Sequence, residues 1–433
     1  MLACALVLGL ASAALGQGRF PQPQFETGYR LPDTTTPMPA STWRAYADVA
    51  ALAVALALAS WLAVRRRSRS GLVALSLASM LYFGFWRKGC ICPVGSLQNV
   101  ALSCFDASYT VPLTVVAFFV FPLVSTLLFG RTFCAAVCPL GVMQDLVVVR
   151  PVRLPLWLST LFGVVPAIYL GVAVLLVAAG GMFLVCRYDP FVGFYRLSGP
   201  APMLAAGVIL LLIGMFIARP YCRFFCPYGV LLNLASRLSR RHVTITPDDC
   251  IDCRLCQASC PFDAIRFPVA PPSPEQLRRD TRSLALLLAL LPAALIAGWS
   301  LGAGLGPRFA RLDKTVRLAH EAAGWNDAAS APEGSLEAEA FQQGARSVAD
   351  LQQDAQRIQA GFRLGSGIFG AAVGALLIGK LAALVLRRRV TEHTPDRGLC
   401  LSCGRCYRFC PPEHMRLALK NPPAPVSQEG HTS

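Results

Sequence analysis

A mostly α, polytopic bundle of transmembrane helices is the fold class this sequence predicts, on three observations. Apolar residues make up 55% of the 433, and only 15% are charged; mean hydropathy is +0.51. A soluble domain of this size needs a polar surface, so the excess calls for one that faces lipid. Apolar stretches near membrane-crossing length recur along the chain. Finally, most of the 17 cysteines fall in short, regular spacings, which points to ligation rather than a disulfide framework.

Residues 1–16 are small and apolar and end in Ala13-Ala14-Leu15-Gly16, like a signal-peptide core with its cleavage site, or else an anchor. Residues 17–44 are Pro-rich, lack periodicity and are expected outside the cytoplasm as a periplasmic segment. About seven spans follow, near 45–64, 71–86, 110–130, 160–185, 201–218, 284–305 and 366–386. Arg65-Arg66-Arg67 and Arg387-Arg388-Arg389 abut helix ends, and the excess of basic loops on their side makes that side cytoplasmic. The net charge of +16 is thereby explained by topology. With no aromatic interleaving and no recognisable module, it is not read as a nucleic-acid surface. The predicted partner is the lipid bilayer of the bacterial inner membrane.

The remaining boundaries follow from this frame. Residues 45–240 form the transmembrane core, and 284–305 and 366–386 form a later hairpin of two spans. The stretch 306–365 between them is expected as a periplasmic loop with a helix through Leu336, Phe341, Val348, Leu351, Ala355 and Ile358 that leads into the last span. Residues 419–433 read as a disordered tail.

Two cysteine runs flank the hairpin, Cys250-x2-Cys253-x2-Cys256-x3-Cys260-Pro261 in 241–283 and Cys400-x2-Cys403-x2-Cys406-x3-Cys410-Pro411 in 387–418. Each is a complete bacterial ferredoxin motif, in which three close thiolates wrap one [4Fe-4S] cubane and the cysteine before proline serves the other. The expected sets are Cys250, Cys253, Cys256 and Cys410, and Cys400, Cys403, Cys406 and Cys260. An even number of spans separates the runs, so both halves return to one side and can form a single cytoplasmic two-cluster module. A zinc ribbon would show two CxxC pairs instead. Pro411-Pro412-Glu413-His414 departs from Pro261-Phe262-Asp263-Ala264-Ile265, so the second half is expected to differ in fold or potential.

A third pattern recurs after spans. Cys90-Ile91-Cys92-Pro93-Val94-Gly95, Cys134-Ala135-Ala136-Val137-Cys138-Pro139-Leu140-Gly141 and Cys222-Arg223-Phe224-Phe225-Cys226-Pro227-Tyr228-Gly229 each read Cys-Pro-x-Gly before an apolar stretch. Proline pushes the preceding cysteine out of helical geometry, and glycine is read as permitting a tight turn. Cys134, Cys138, Cys222 and Cys226 fall on the inner side, where they could hold a further metal or cluster, act as dithiols, or be buried structural cysteines. By the same topology Cys90, Cys92, Cys104 and Cys186 fall on the outer side, as a separate centre or as disulfides. Cys4 is read as incidental.

Together these residues resemble the NosR/NirI and NapH group of membrane polyferredoxins, with the CcoG (RdxA) proteins a more distant likeness. The resemblance covers roughly residues 40–415. It is carried by the paired CxxxCP motifs, by Cys186-Arg187-Tyr188-Asp189-Pro190-Phe191 and by the two ferredoxin runs. It implies a redox-active electron carrier, with quinol oxidation among its options. Electrons would pass between quinol or a cytoplasmic donor and a periplasmic reductase or its maturation system. Residues 17–44 are too short for the periplasmic flavin-binding domain of NosR-like proteins, and the long C-terminal immunoglobulin-like domain of CcoG is absent. The CcoG likeness implies the alternative, an assembly factor that reduces or binds copper. No P-loop, dinucleotide fingerprint, catalytic triad or carboxylate pair points to a kinase, a regulator of that kind or a hydrolase.

Overall fold

A computed structural model describes residues 42–89, 92–106, 109–152, 154–180, 182–245, 250–266, 272–322, 341, 347–386 and 393–420. The signal-like segment, nearly all of 17–44, Cys90, Arg387 to Arg389, much of the loop 306–365 and the tail lie outside the described residues.

Helix α1 (Thr42–Ser60) runs into a π-helical turn at Trp61–Arg65, and α2 (Arg69–Ser79) into another at Met80–Trp86. Then come α3 (Pro93–Phe105), α4 (Leu113–Phe129), α5 (Thr132–Ala136), α6 (Pro139–Leu146), α7 (Leu156–Phe162) and α8 (Val165–Gly180). Short helices α9 (Leu184–Arg187) and α10 (Val192–Arg196) lead to α11 (Ala201–Gly214), α12 (Pro220–Phe224), α13 (Pro227–Arg237) and α14 (Leu255–Ala258). Strand β1 (Ile265–Arg266) precedes the long α15 (Pro274–Ala310), α16 (Lys314–Glu321) and the long α17 (Val348–Val385). The described part closes with β2 (Thr394–Pro395), α18 (Arg405–Arg408) and α19 (Pro411–Lys420).

Among the described residues four helices are long and apolar enough to cross a membrane: Trp43–Arg65, Trp157–Ala179, Pro274–Ala310 and Val348–Val385. Leu113–Phe129 and Ala201–Gly214 are apolar but shorter. The expected spans 284–305 and 366–386 are the middles of longer helices. Their polar ends stay helical because each begins with a capping box, Ser273 with Gln276 and Ser347 with Asp350. At ~1.5 Å per residue, 37 and 38 residues reach well past a hydrocarbon core of ~30 Å. The start of α17 is the helix expected to lead into the last span, and its Leu351 and Ala355 are buried with Val316 and Ala319 of α16.

The α15–α17 hairpin is zipped by small residues. A Cβ at Gly302 would collide with the Ser366 carbonyl oxygen, and one at Gly370 with that of Gly298. Backbones approach this closely only where side chains are absent, which is how helices associate when lipid offers no hydrophobic drive between them. Leu286, Leu288, Ile296 and Leu301 point outward, a surface suited to lipid. The main core lies in the other bundle, where Leu52, Leu56, Leu72, Phe118, Phe133, Val137, Phe191 and Tyr228 pack together.

β1 and β2 join sequence segments from either side of the hairpin. They pair antiparallel, with Ile265 opposite Pro395 and Arg266 opposite Thr394. An ion pair from Arg266 to Asp396 reinforces the pairing.

Candidate functional site

The pairing of β1 with β2 sets the two ferredoxin runs face to face. Both loops share one backbone signature, with left-handed residues two and four places after the first cysteine. These are Asp252 (φ 51) and Arg254 (φ 57) in one loop, Ser402 (φ 54) and Gly404 (φ 74) in the other. Such a path turns successive thiols toward a common centre. Past the last cysteine the halves diverge: Cys260 leads to strand β1, whereas Cys410 opens helix α19.

The structure brings the cysteines into two groups of four. Cys256 lies within electrostatic reach of Cys410, Cys253 and Cys250, and Cys406 within reach of Cys400, Cys403 and Cys260. Each set lines one small cavity. The first cavity also meets Asp252, Arg254 and His393, and Cys250 and Cys253 are exposed. The second is walled by Val243, Phe262, Ala264, Ile265 and Leu401 and backs onto the membrane core. Four sulfurs around one cavity, twice over, fit the donor set of a cubane. Burial pushes the Cys400 thiol up to about 12 and Cys406 well above its ordinary value. Protons must therefore leave when these thiols become ligands.

Arginines clamp the second group onto the bundle. Arg69 donates to the Cys403 carbonyl oxygen at 2.7 Å, and Arg131 to that of Gly398 at 3.1 Å. Arg67 pairs with the fully buried Glu413 at 2.9 Å and lies over the Tyr407 ring. Arg219, with no exposed surface, pairs with Asp145 at 2.5 Å. It also donates to the Cys134 carbonyl and lies over Phe262, two residues past Cys260. Sequence reasoning missed all four. Arg67 was read as a topology charge, and the signal available for Arg131 and Arg219 was their place just ahead of a CxxxCP.

In all three Cys-Pro motifs the cysteine before proline is the helix N-cap in extended geometry, with proline at the first helical position. The expected break is present. The glycines, however, lie inside the helices without positive φ, and what they supply is room. A Cβ at Gly141 would meet Arg219 at 3.0 Å, and one at Gly95 would meet Cys186 Sγ at 3.1 Å.

Thiols expected on the inner and on the outer side lie within electrostatic reach of one another. Cys138 lies within electrostatic reach of Cys222, Cys134, Cys92 and Cys226, and Cys92 is also within reach of Cys186. Each CxxxCP is a short helix, a cap and a second helix, which folds the chain back into the bundle instead of leaving the motif at one face. Gln144, fully buried, donates to Cys222 Sγ at 3.2 Å and accepts from the Tyr221 N–H at 3.0 Å, fixing one turn to the other. Cys104 is exposed, and Cys90 lies outside the described residues. Among the described residues no group of three or more His, Cys, Asp or Glu is drawn tightly enough to hold a single metal ion. The further metal expected at these thiols therefore finds no support in the geometry.

Two families, each described as a 4Fe-4S binding domain, match the chain, one at residues 111–164 and 199–246 and the other at 243–266. The first spans both CxxxCP motifs, and the second contains the first ferredoxin run. Over 225 residues, 46% of the chain, it is 27% identical to the regulatory protein NosR of Pseudomonas aeruginosa and 29% identical to NirI of Paracoccus denitrificans. Over this part the chain is similar to the NosR/NirI polyferredoxins. It is also 30% identical over 199 residues, 41% of its length, to the putative electron transport protein YccM of Escherichia coli. The matches cover 54% of YccM, 30% of NosR and 31% of NirI. No solved structure matches it. With four helices able to cross a bilayer, the chain is a membrane protein that carries iron–sulfur binding domains.

Proposed function

We propose that the chain is a membrane-bound iron–sulfur electron carrier with two [4Fe-4S] clusters. Electrons would pass from quinol or a cytoplasmic donor, through the bundle, to a reductase or maturation partner in the periplasm. The observation that carries this reading is a continuous run of sulfur sites. The group of Cys260, Cys400, Cys403 and Cys406 abuts Arg131 and Arg219, and both arginines touch Cys134. Cys134 neighbours Cys138 and Cys222, and Cys92 continues toward Cys186.

Bound cubanes would supply one-electron carriers at the two four-cysteine groups. The chain does the rest. Apolar walls keep water from the inner group, arginines hold it against the Cys-Pro turns, and the exposed Cys250 and Cys253 offer the outer group to a partner. The basic residues beside the spans support a place in the bacterial inner membrane with the ferredoxin module on the cytoplasmic face. The similarity to YccM, a putative electron transport protein, adds the electron-transport context.

The test is electron paramagnetic resonance on anaerobically purified protein, with iron, copper and zinc quantified. About eight irons per chain are expected for two cubanes, and about four would remove one cluster from the scheme. Cys134→Ser and Cys222→Ser should keep that iron yet slow reduction by a quinol analogue. Stoichiometric copper lost in both variants would favour a metal-handling assembly factor instead.

A further inference from the structure

Beside the Cys-Pro turns lies a cavity of about 320 Å³, with no carboxylate in its lining. Five cations line it: Arg131, Arg219, Arg223, Arg237 and Lys380. Arg219 is neutralised by Asp145 at 2.5 Å, and Arg223 feels Asp263. The other three have no carboxylate partner among the described residues. Arg237 Nε meets only the neutral Asn233 side chain, at 3.1 Å. Arg131 has a buried Nε without a hydrogen-bond partner. Lys380 makes no hydrogen bond or ion pair among the described residues, although it sits within a long membrane helix. Like charges gathered next to lipid repel one another and are costly to desolvate, so the arrangement calls for an anion.

Much of the remaining wall is apolar, with Pro166 and Ala167 on α8 and Leu376 on α17, both within membrane-crossing stretches, and Leu234 on α13. A ligand matched to both walls has an anionic head and a hydrocarbon body. Phe262, Leu399 and Leu401 of the ferredoxin module close the cavity from one side, and Cys222 and Cys226 approach it from another. We propose that this cavity binds the headgroup phosphate of an anionic phospholipid, which joins the ferredoxin module, the Cys-Pro turns and the α15–α17 hairpin. Phosphate suits the donors present, since arginine forks and a lysine ammonium are its usual partners. Basic pockets between membrane helices recognise lipid headgroups in this way. A neutral quinone has no use for three uncompensated cations, and no His, Asp or Glu in the lining would take its proton.

The site is tested on the full chain in detergent, after lipid exchange, by native mass spectrometry and thermal unfolding. Cardiolipin and phosphatidylglycerol should stay bound and raise Tm, whereas phosphatidylcholine should not. Lys380→Gln combined with Arg237→Gln should weaken retention about tenfold and leave iron content unchanged. Lys380→Arg, which keeps the charge, should retain binding, and this guards against a double variant that merely misfolds. The assignment is overturned by equal retention of phosphatidylcholine, by binding indifferent to the variants, by saturation with a short-chain ubiquinone, or by inorganic phosphate alone giving the full Tm rise.

Discussion

The two four-cysteine groups are built from the same motif and placed in opposite environments. The group of Cys250, Cys253, Cys256 and Cys410 shows two sulfurs to solvent and has Asp252, Arg254 and His393 around it. That of Cys260, Cys400, Cys403 and Cys406 is walled by aliphatic and aromatic side chains and held by arginines from the bundle. Motif spacing therefore brings four cysteines together in each group, and position against the bundle decides which group is open to solvent and which is enclosed.

The largest effect that sharpens this contrast is expected from Asp145→Ala. It would leave Arg219, fully buried, without its counter-charge, at a cost of about 3–5 kcal/mol. The Tm should fall steeply, and iron should be lost first from the group beside Phe262. Equal loss from both groups would erase the distinction. Gly302→Val comes next, because its side chain would collide with the Ser366 backbone, costing about 1–3 kcal/mol or more. The hairpin separates the two halves in sequence, so here both groups should lose iron together, as counted per purified chain.

A finer probe is the exchange itself. Cys260→Ser should disturb the signal of the group whose other three cysteines lie in the second run, and Cys410→Ser that of the first. Spectra in which each variant affects only its own run would break the exchange. In the iron-free protein, alkylation near pH 8 should mark Cys250 and Cys253 quickly and Cys400 slowly. Burial raises the Cys400 thiol to about 12, so its reactive thiolate is scarce below that pH. Its labelling should rise as pH climbs toward 12, and a Cys400 labelled as fast as Cys250 would contradict the burial contrast. The smallest effect is expected from Arg69→Gln, which removes one hydrogen bond to the Cys403 carbonyl and costs about 1 kcal/mol.

Much of this was legible in the sequence. Metal chemistry constrains cysteine spacing tightly, so iron–sulfur binding could be read directly from the cysteine runs. Proline's missing N–H likewise marked Cys92, Cys138 and Cys226 as breaks in the helix, though not as the starts of the next helices. The meeting of Cys92 with Cys138 was not legible. A rule that alternates loops between two faces cannot foresee short helices that fold back into the bundle. Nor could charge counting tell Arg67 and Arg69, which hold the module, from basic residues that merely mark a membrane face. The lengths of α15 and α17 exceeded the apolar runs because capping, not hydropathy, sets where a helix begins.

With the two clusters proposed here, each sulfur cage would borrow its fourth corner across the α15–α17 hairpin, and cofactor loading would be a late step in biogenesis. A nascent chain that has emerged only as far as Cys260 presents three corners of one cage and one of the other. It could close neither until α15 and α17 are in place and the second run has been synthesised. Iron insertion would then report on correct assembly of the hairpin.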